Sequence, residues 1–159
     1  MRILPAAITA LGALALVSCG QGASAPNVSE GVIALSDQFS SEFNLVDQDG
    51  RAVSDRDFRG KVMIVYFGYA NCPDVCPGDV GVLSAALNAL GNEAGEVAPI
   101  FITVDPERDT PEALKAYLSF DERIIGLSGA PEAAAAARQS FKLYARKQPQ
   151  PDSALGYTV

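Results

Sequence analysis

Two cysteines four residues apart, Cys72 and Cys76, lie in the run Asn71-Cys72-Pro73-Asp74-Val75-Cys76-Pro77. Their spacing limits what the sulfurs can do together. On a helix, positions i and i+4 share one face about 6 Å apart, because each residue rises about 1.5 Å. That separation falls inside the roughly 4.4–6.8 Å between Cα atoms that a disulfide tolerates. Two convergent thiolates are also a soft ligand pair, suited to Cu(I) or Zn(II) and poorly matched to Mg(II) or Ca(II). The pair is therefore redox-active, metal-binding, or both. A purely structural staple fits less well, since so small a ring constrains the unfolded chain little.

The elements that must position these thiols alternate between strand and helix. Phe43 to Val46 and Arg51 to Val53 flank Asp47-Gln48-Asp49-Gly50, a hairpin around a Gly-containing turn. Lys61 to Gly68 is nearly all apolar, as in a strand buried on both faces, and it leads straight into the cysteine loop. Ligands of open α/β sheets gather at such carboxyl ends. Pro77 suits a first helical position, with Val80, Leu83, Leu87 and Leu90 following at helical spacing and Gly91 as a stop. Pro99 to Asp105 is a second buried strand. Thr110-Pro111-Glu112 opens a helix to about Phe120. Ile124 to Leu127 reads as a short strand, and Gly129 to Glu132 starts a final Ala-rich helix. This order implies an α/β fold with a largely parallel sheet.

The start of the chain speaks to location. Met1-Arg2 precedes an apolar run from Ile3 to Val17, and the sequence then reads Leu16-Val17-Ser18-Cys19. A basic start, a short apolar core and a small-residue exit describe a secretory signal over residues 1–18. The run falls short of the about 20 apolar residues a spanning helix needs. Its ending resembles a bacterial lipoprotein signal, in which cleavage leaves Cys19 as a lipidated amino terminus. Residues 19–35 are the lipidated cysteine and a small, polar tether containing Pro26. The chain has three cysteines, an odd number; lipidation of Cys19 leaves Cys72 and Cys76 as a pair. An exported compartment permits disulfides, so the pair would need reduction before binding a metal.

Residues 36–159 remain, about 125 positions and one domain by length. The net charge of −7, with no basic cluster, argues against nucleic-acid binding, which needs Lys and Arg to neutralise phosphates.

Tyr66 to Pro77, with its C-x-x-x-C, resembles the signature of the Sco/SenC proteins, and Thr103-Val104-Asp105-Pro106-Glu107-Arg108-Asp109-Thr110-Pro111 is similar to the family's second characteristic segment. The resemblance extends from about Phe39 to the end of the chain. It implies a thioredoxin-like fold and a copper chaperone for cytochrome c oxidase assembly, membrane-tethered on the periplasmic side of a bacterial envelope. Cys72 and Cys76 would be the copper ligands, and Asp105 would stand one layer out from the metal. The partners implied are the oxidase's copper-site subunit and other copper chaperones or thiol reductants. An alternative is a thiol-disulfide oxidoreductase that reduces the oxidase's copper-ligand cysteines. Dedicated oxidoreductases of this fold use C-x-x-C, so the wider spacing leans towards ligation. A peroxiredoxin-type site would need a Thr three before the cysteine, where Tyr69 stands. Structural zinc usually takes four protein ligands, whereas two thiols and no histidine are present.

The sequence also departs from the family pattern. The resemblance implies a histidine as third copper ligand after a Tyr-containing segment late in the domain, and this chain contains no His. Gly156 to Val159 looks like the lead-in to it, and a thioredoxin fold also needs a closing hairpin and a last helix. These features read as a carboxy-truncated sequence, with a natural degenerate variant as the alternative. Cu(I) accepts two thiolates in a near-linear site, while Cu(II) prefers imidazole, so Cu(I) retention with weak Cu(II) binding is expected.

Overall fold

The computed structural model describes residue 36 and residues 39–159; the signal, Cys19 and the tether lie outside these. The chain opens with the expected hairpin, β1 (Asn44–Asp47) against β2 (Ala52–Ser54). Its turn is closed by Asp47, whose Oδ1 accepts from the N–H of Asp49 (2.9 Å) and of Arg51 (2.8 Å). Gly50 takes φ +81°, a left-handed conformation that glycine adopts at little cost. A 3-10 turn at Asp55–Phe58 leads to β3 (Val62–Gly68).

Beyond the cysteine loop come α1 (Val75–Leu90), β4 (Val97–Thr103), α2 (Pro111–Tyr117), β5 (Ile125–Ser128) and α3 (Pro131–Ser140). Gly91 ends α1 with φ +54°, as its position predicts. Thr110 caps α2, its hydroxyl accepting the N–H of Ala113 at 3.3 Å. Two short strands close the chain, β6 (Gln148–Gln150) and β7 (Gly156–Thr158), paired with each other in a separate antiparallel sheet.

The main sheet runs β2-β1-β5-β4-β3. Strands β3, β4 and β5 are parallel, and β1 adds antiparallel to β5. The α/β class expected from the sequence is what the chain forms, but the sheet is mixed and not largely parallel: its amino-terminal hairpin joins the three parallel strands through an antiparallel edge. Successive side chains of a strand point to opposite faces, and β4 feeds a core on each. Ile100 and Ile102 join Phe43, Leu45, Leu127 and Ala137, while Phe101 joins Val80, Leu87, Leu114, Leu118 and Ile124.

Two local expectations need correction. The apolar run of β3 reads as a strand covered on both faces, yet Val62 is 65% exposed and Ile64 36%. The reason is topological: among the described residues β3 pairs with β4 alone and forms the border of the sheet. Helix α1 begins at Val75, two residues before the expected start at Pro77. The first four N–H groups of a helix have no intrahelical acceptor, so proline is tolerated at its third position as well as its first.

Candidate metal and redox centre

Strand β3 ends at Gly68, and the next six residues loop over the carboxyl end of the sheet before α1 begins. The last rung of the β3–β4 ladder is the N–H of Val104 donating to the Gly68 carbonyl at 2.8 Å. Cys72 then turns back, its N–H donating to the carbonyl of Tyr69 at 3.1 Å. Cys72 therefore lies in the loop, and Cys76 lies in the first turn of α1. The two are not stacked on one helical face. They meet because the loop folds back over the head of the helix, where the N–H of Cys76 donates to the Cys72 sulfur at 3.4 Å. Both are free thiols.

Their environments differ. Cys76 is buried, at 4% exposure, and Cys72 is half-buried. Burial pushes the Cys76 thiol up, and its hydrogen bond to Cys72 adds to that, outweighing the Tyr69 N–H and the Tyr66 hydroxyl. Burial acts upward on Cys72 too. There it is overcome by the Cys76 thiol and by the N–H groups of Asp74, Cys76 and Val75, which hold Cys72 below the ordinary thiol value. This is the usual effect of unsatisfied donors at a helix amino terminus on a sulfur anion.

Three tyrosines surround the pair. The Tyr66 hydroxyl donates to Asp79 Oδ2 at 3.0 Å, and burial, followed by Cys76 and Asp79, holds its pKa far above the usual phenol value. Tyr117 is pushed up to about 12 by burial and by the nearby charges of Cys76, Cys72 and Asp109. Tyr69 is buried under the loop. The thiols open into a cleft of about 530 Å³. Its walls are the end of β3 (Tyr66, Phe67, Gly68), the segment from Leu143 to Arg146, and Thr158 and Val159. Exposed Val75 and Tyr144 stand on its rim, Tyr144 at 81%.

Asp105 does not line this cleft. It is fully buried and binds Arg108 through one oxygen, and the other accepts from the Tyr157 hydroxyl at 2.9 Å. Arg108 also donates to the carbonyls of Leu155 (3.1 Å) and Tyr157 (3.2 Å), with its guanidinium 3.7 Å from the Tyr157 ring centre. Asp105 thus anchors the β6–β7 hairpin, and the residues after Tyr157 reach the cleft. The pairing of Asp105 with Arg108 sits in the quoted segment; its reach to Tyr157 leaves no local trace in the sequence.

Among the described residues no cluster of three or more His, Cys, Asp or Glu could hold a metal, so the donor set is two sulfurs. Two soft thiolates suit a soft, low-coordinate ion. A dithiol at a helix head, beyond the carboxyl ends of the parallel strands of a mixed sheet, defines a thiol-bearing protein of thioredoxin-like architecture.

The family model described as SCO1/SenC matches residues 33–159. The chain belongs to the SCO1/SenC family. Protein sco1 of Schizosaccharomyces pombe is 41% identical over 109 residues, which cover 67% of this chain and 41% of that protein. The chain spans about two fifths of the length of the first curated relatives it matches. Among solved structures, Bradyrhizobium japonicum ScoI with copper bound superposes with a TM-score of 0.69 at 47% identity, covering 74% of each chain. The structure of BsSco, described as revealing a disulfide switch in a member of the Sco family of cytochrome c oxidase assembly proteins, gives a TM-score of 0.58 at 27% identity. That match covers 67% of this chain and 66% of that one.

Proposed function

We propose that this chain is a copper chaperone for the binuclear copper site of cytochrome c oxidase, carrying Cu(I) between the thiolates of Cys72 and Cys76. The observation that carries this reading is the approach of the two sulfur-bearing residues at the head of α1, with one thiol open to the cleft. The copper bound in the ScoI neighbour supports it. Two thiolates satisfy Cu(I) in a near-linear site, and Cu(II), which prefers imidazole, binds this histidine-free chain weakly. Asp105 acts from outside the ligand set, through Arg108 and Tyr157. Lipidated Cys19 would tether the protein to the periplasmic face of a bacterial membrane, with the copper-site subunit of the oxidase and copper donors or thiol reductants as partners. No described helix is long and apolar enough to cross a membrane.

A second reading, a thiol-disulfide oxidoreductase acting on the oxidase's copper-ligand cysteines, is favoured by one observation. The half-exposed thiol is the one held low and the buried thiol is the one held high, the division between an attacking and a resolving sulfur. The disulfide switch of the BsSco neighbour supports it as well.

Anaerobic Cu(I) titration of the reduced protein, with Cys72→Ser and Cys76→Ser controls, separates the two. One tight equivalent, lost in both variants, is expected. Absence of tight binding, with a stable disulfide formed by the same pair, would replace the chaperone reading with the oxidoreductase.

A further inference from the structure

Asp109 is fully buried, and neither reading gives it a task. Its Oδ2 accepts two hydrogen bonds, from the Thr103 hydroxyl (2.6 Å) and from the Ala70 N–H (3.0 Å), the latter 39 positions away in sequence. Its carbonyl accepts from the Ser128 hydroxyl at 2.5 Å, so the residue ties the ends of β4 and β5 to the cysteine loop. The other carboxyl oxygen, Oδ1, has no partner among the described residues. A buried carboxylate with one bare oxygen is costly, and such a group calls for a specific explanation.

Its position supplies one. The β3 ladder ends where Val104 donates to Gly68, and two residues further along the loop the Ala70 N–H goes to Asp109. The carboxylate therefore extends the ladder two residues past the strand, to within two positions of Cys72. Beyond that point the loop is held by the Cys72–Tyr69 turn and by the backbone N–H groups that converge on the two sulfurs.

We propose that Asp109 is a positioning residue for the dithiol: by holding the Ala70 N–H, it fixes the loop that presents the Cys72 sulfur to Cys76. The inference rests on Cys72 and Cys76 being the working pair, and it holds whether that pair carries copper or electrons.

The test is the dithiol–disulfide equilibrium of the full chain, copper-free, in a glutathione redox buffer. One oxidised glutathione accepts two electrons from the pair and leaves as two reduced glutathiones, with the two thiol protons, while the Cys72–Cys76 S–S bond forms. A freed loop lowers the effective concentration of one thiol at the other. Asp109→Ala should therefore weaken the disulfide about tenfold, which is about 30 mV towards a more oxidising potential. Asp109→Asn keeps an oxygen acceptor for Ala70 and should stay at the wild-type value. Ser128→Ala loosens the same junction without touching the carboxylate, and should lower the melting temperature with no shift in potential. An unchanged potential in Asp109→Ala, or an equal shift in Ser128→Ala, would overturn the proposal. Should Asp109→Ala fail to fold, amide hydrogen exchange in the wild-type protein decides: Ala70 must be protected, and exchange at the free-peptide rate sinks the idea. Failure of the copper reading would show separately, as absent Cu(I) binding with these results intact.

Discussion

The backbone N–H of Cys76 points at the Cys72 sulfur from 3.4 Å. The first turn of α1 thereby stabilises negative charge on one member of the pair while burying the other.

That asymmetry sets the order of thiol reactivity. Cys72, with its pKa lowered, should alkylate first, and its rate should rise through a midpoint below the ordinary thiol value of about 8.5. Cys76 should lag and need more alkaline conditions. Iodoacetamide labelling across pH, read by peptide mass spectrometry, checks this; faster labelling of Cys76 would contradict the geometry.

Gly68 closes β3 in a space that leaves no room for a side chain. A Cβ there would lie 2.7 Å from Tyr66 Cε1 and 3.0 Å from Phe101 Cε2. Gly68→Ala should cost about 1–3 kcal/mol, the usual penalty of overpacking. It should also push Tyr66 away from Asp79, lowering the phenol's pKa towards its ordinary value. Urea unfolding and an ultraviolet titration of the tyrosines measure both effects.

Tyr157→Phe removes the hydroxyl that satisfies a buried oxygen of Asp105. A loss of about 1–3 kcal/mol is expected, the cost of leaving such an acceptor bare. Hydrogen exchange should accelerate across β6 and β7 with little change in α3. Uniform acceleration over the domain would show that the hairpin is not a separate unit.

Asp121 joins α1 to the approach of β5. Its carboxylate binds Arg123 at 2.6 Å and accepts from Ser84 Oγ at 2.6 Å. Arg123 first, and then Ser84, hold its pKa well below the ordinary range against the opposing effect of burial. A lowered folded value means stability that is fully present above the unfolded value of about 3.9 and lost as pH falls through the folded one. Asp121→Asn should cost about 1 kcal/mol near neutrality, a figure discounted because the Arg123 side chain is 42% exposed. It should also flatten the stability–pH curve below about pH 4. A variant curve as steep as wild type would mean that other carboxylates govern acid unfolding.

Much of this arrangement is legible in the residues themselves. The Thr110 cap, the Gly91 stop, the Asp47–Gly50 turn and the mainly apolar β4 each follow from local chemistry, and each forms within a residue or two of its expected place. The dithiol is legible because two cysteines at this spacing have few other uses. What escapes sequence reasoning is created by approach through space. Strands β6 and β7, with the sequences Gln-Pro-Gln and Gly-Tyr-Thr, carry no alternating pattern. Leu155, just before β7, and Tyr157 within it are held by an arginine 47 and 49 positions earlier. Asp109 reads as one more polar residue after a proline turn until the fold sets it against Ala70. The border position of β3 is hidden for a similar reason, since an apolar run reports composition and not how many neighbours a strand has.

The border has a further consequence. Val62–Gly68 carries no charge, proline or bulge that would discourage a new strand from docking along it. Tyr66, Phe67 and Gly68 at its far end are also walls of the cysteine cleft. Any backbone that zips onto β3 would finish its run beside the sulfurs, so growth of the sheet and traffic through the thiols share a single doorway.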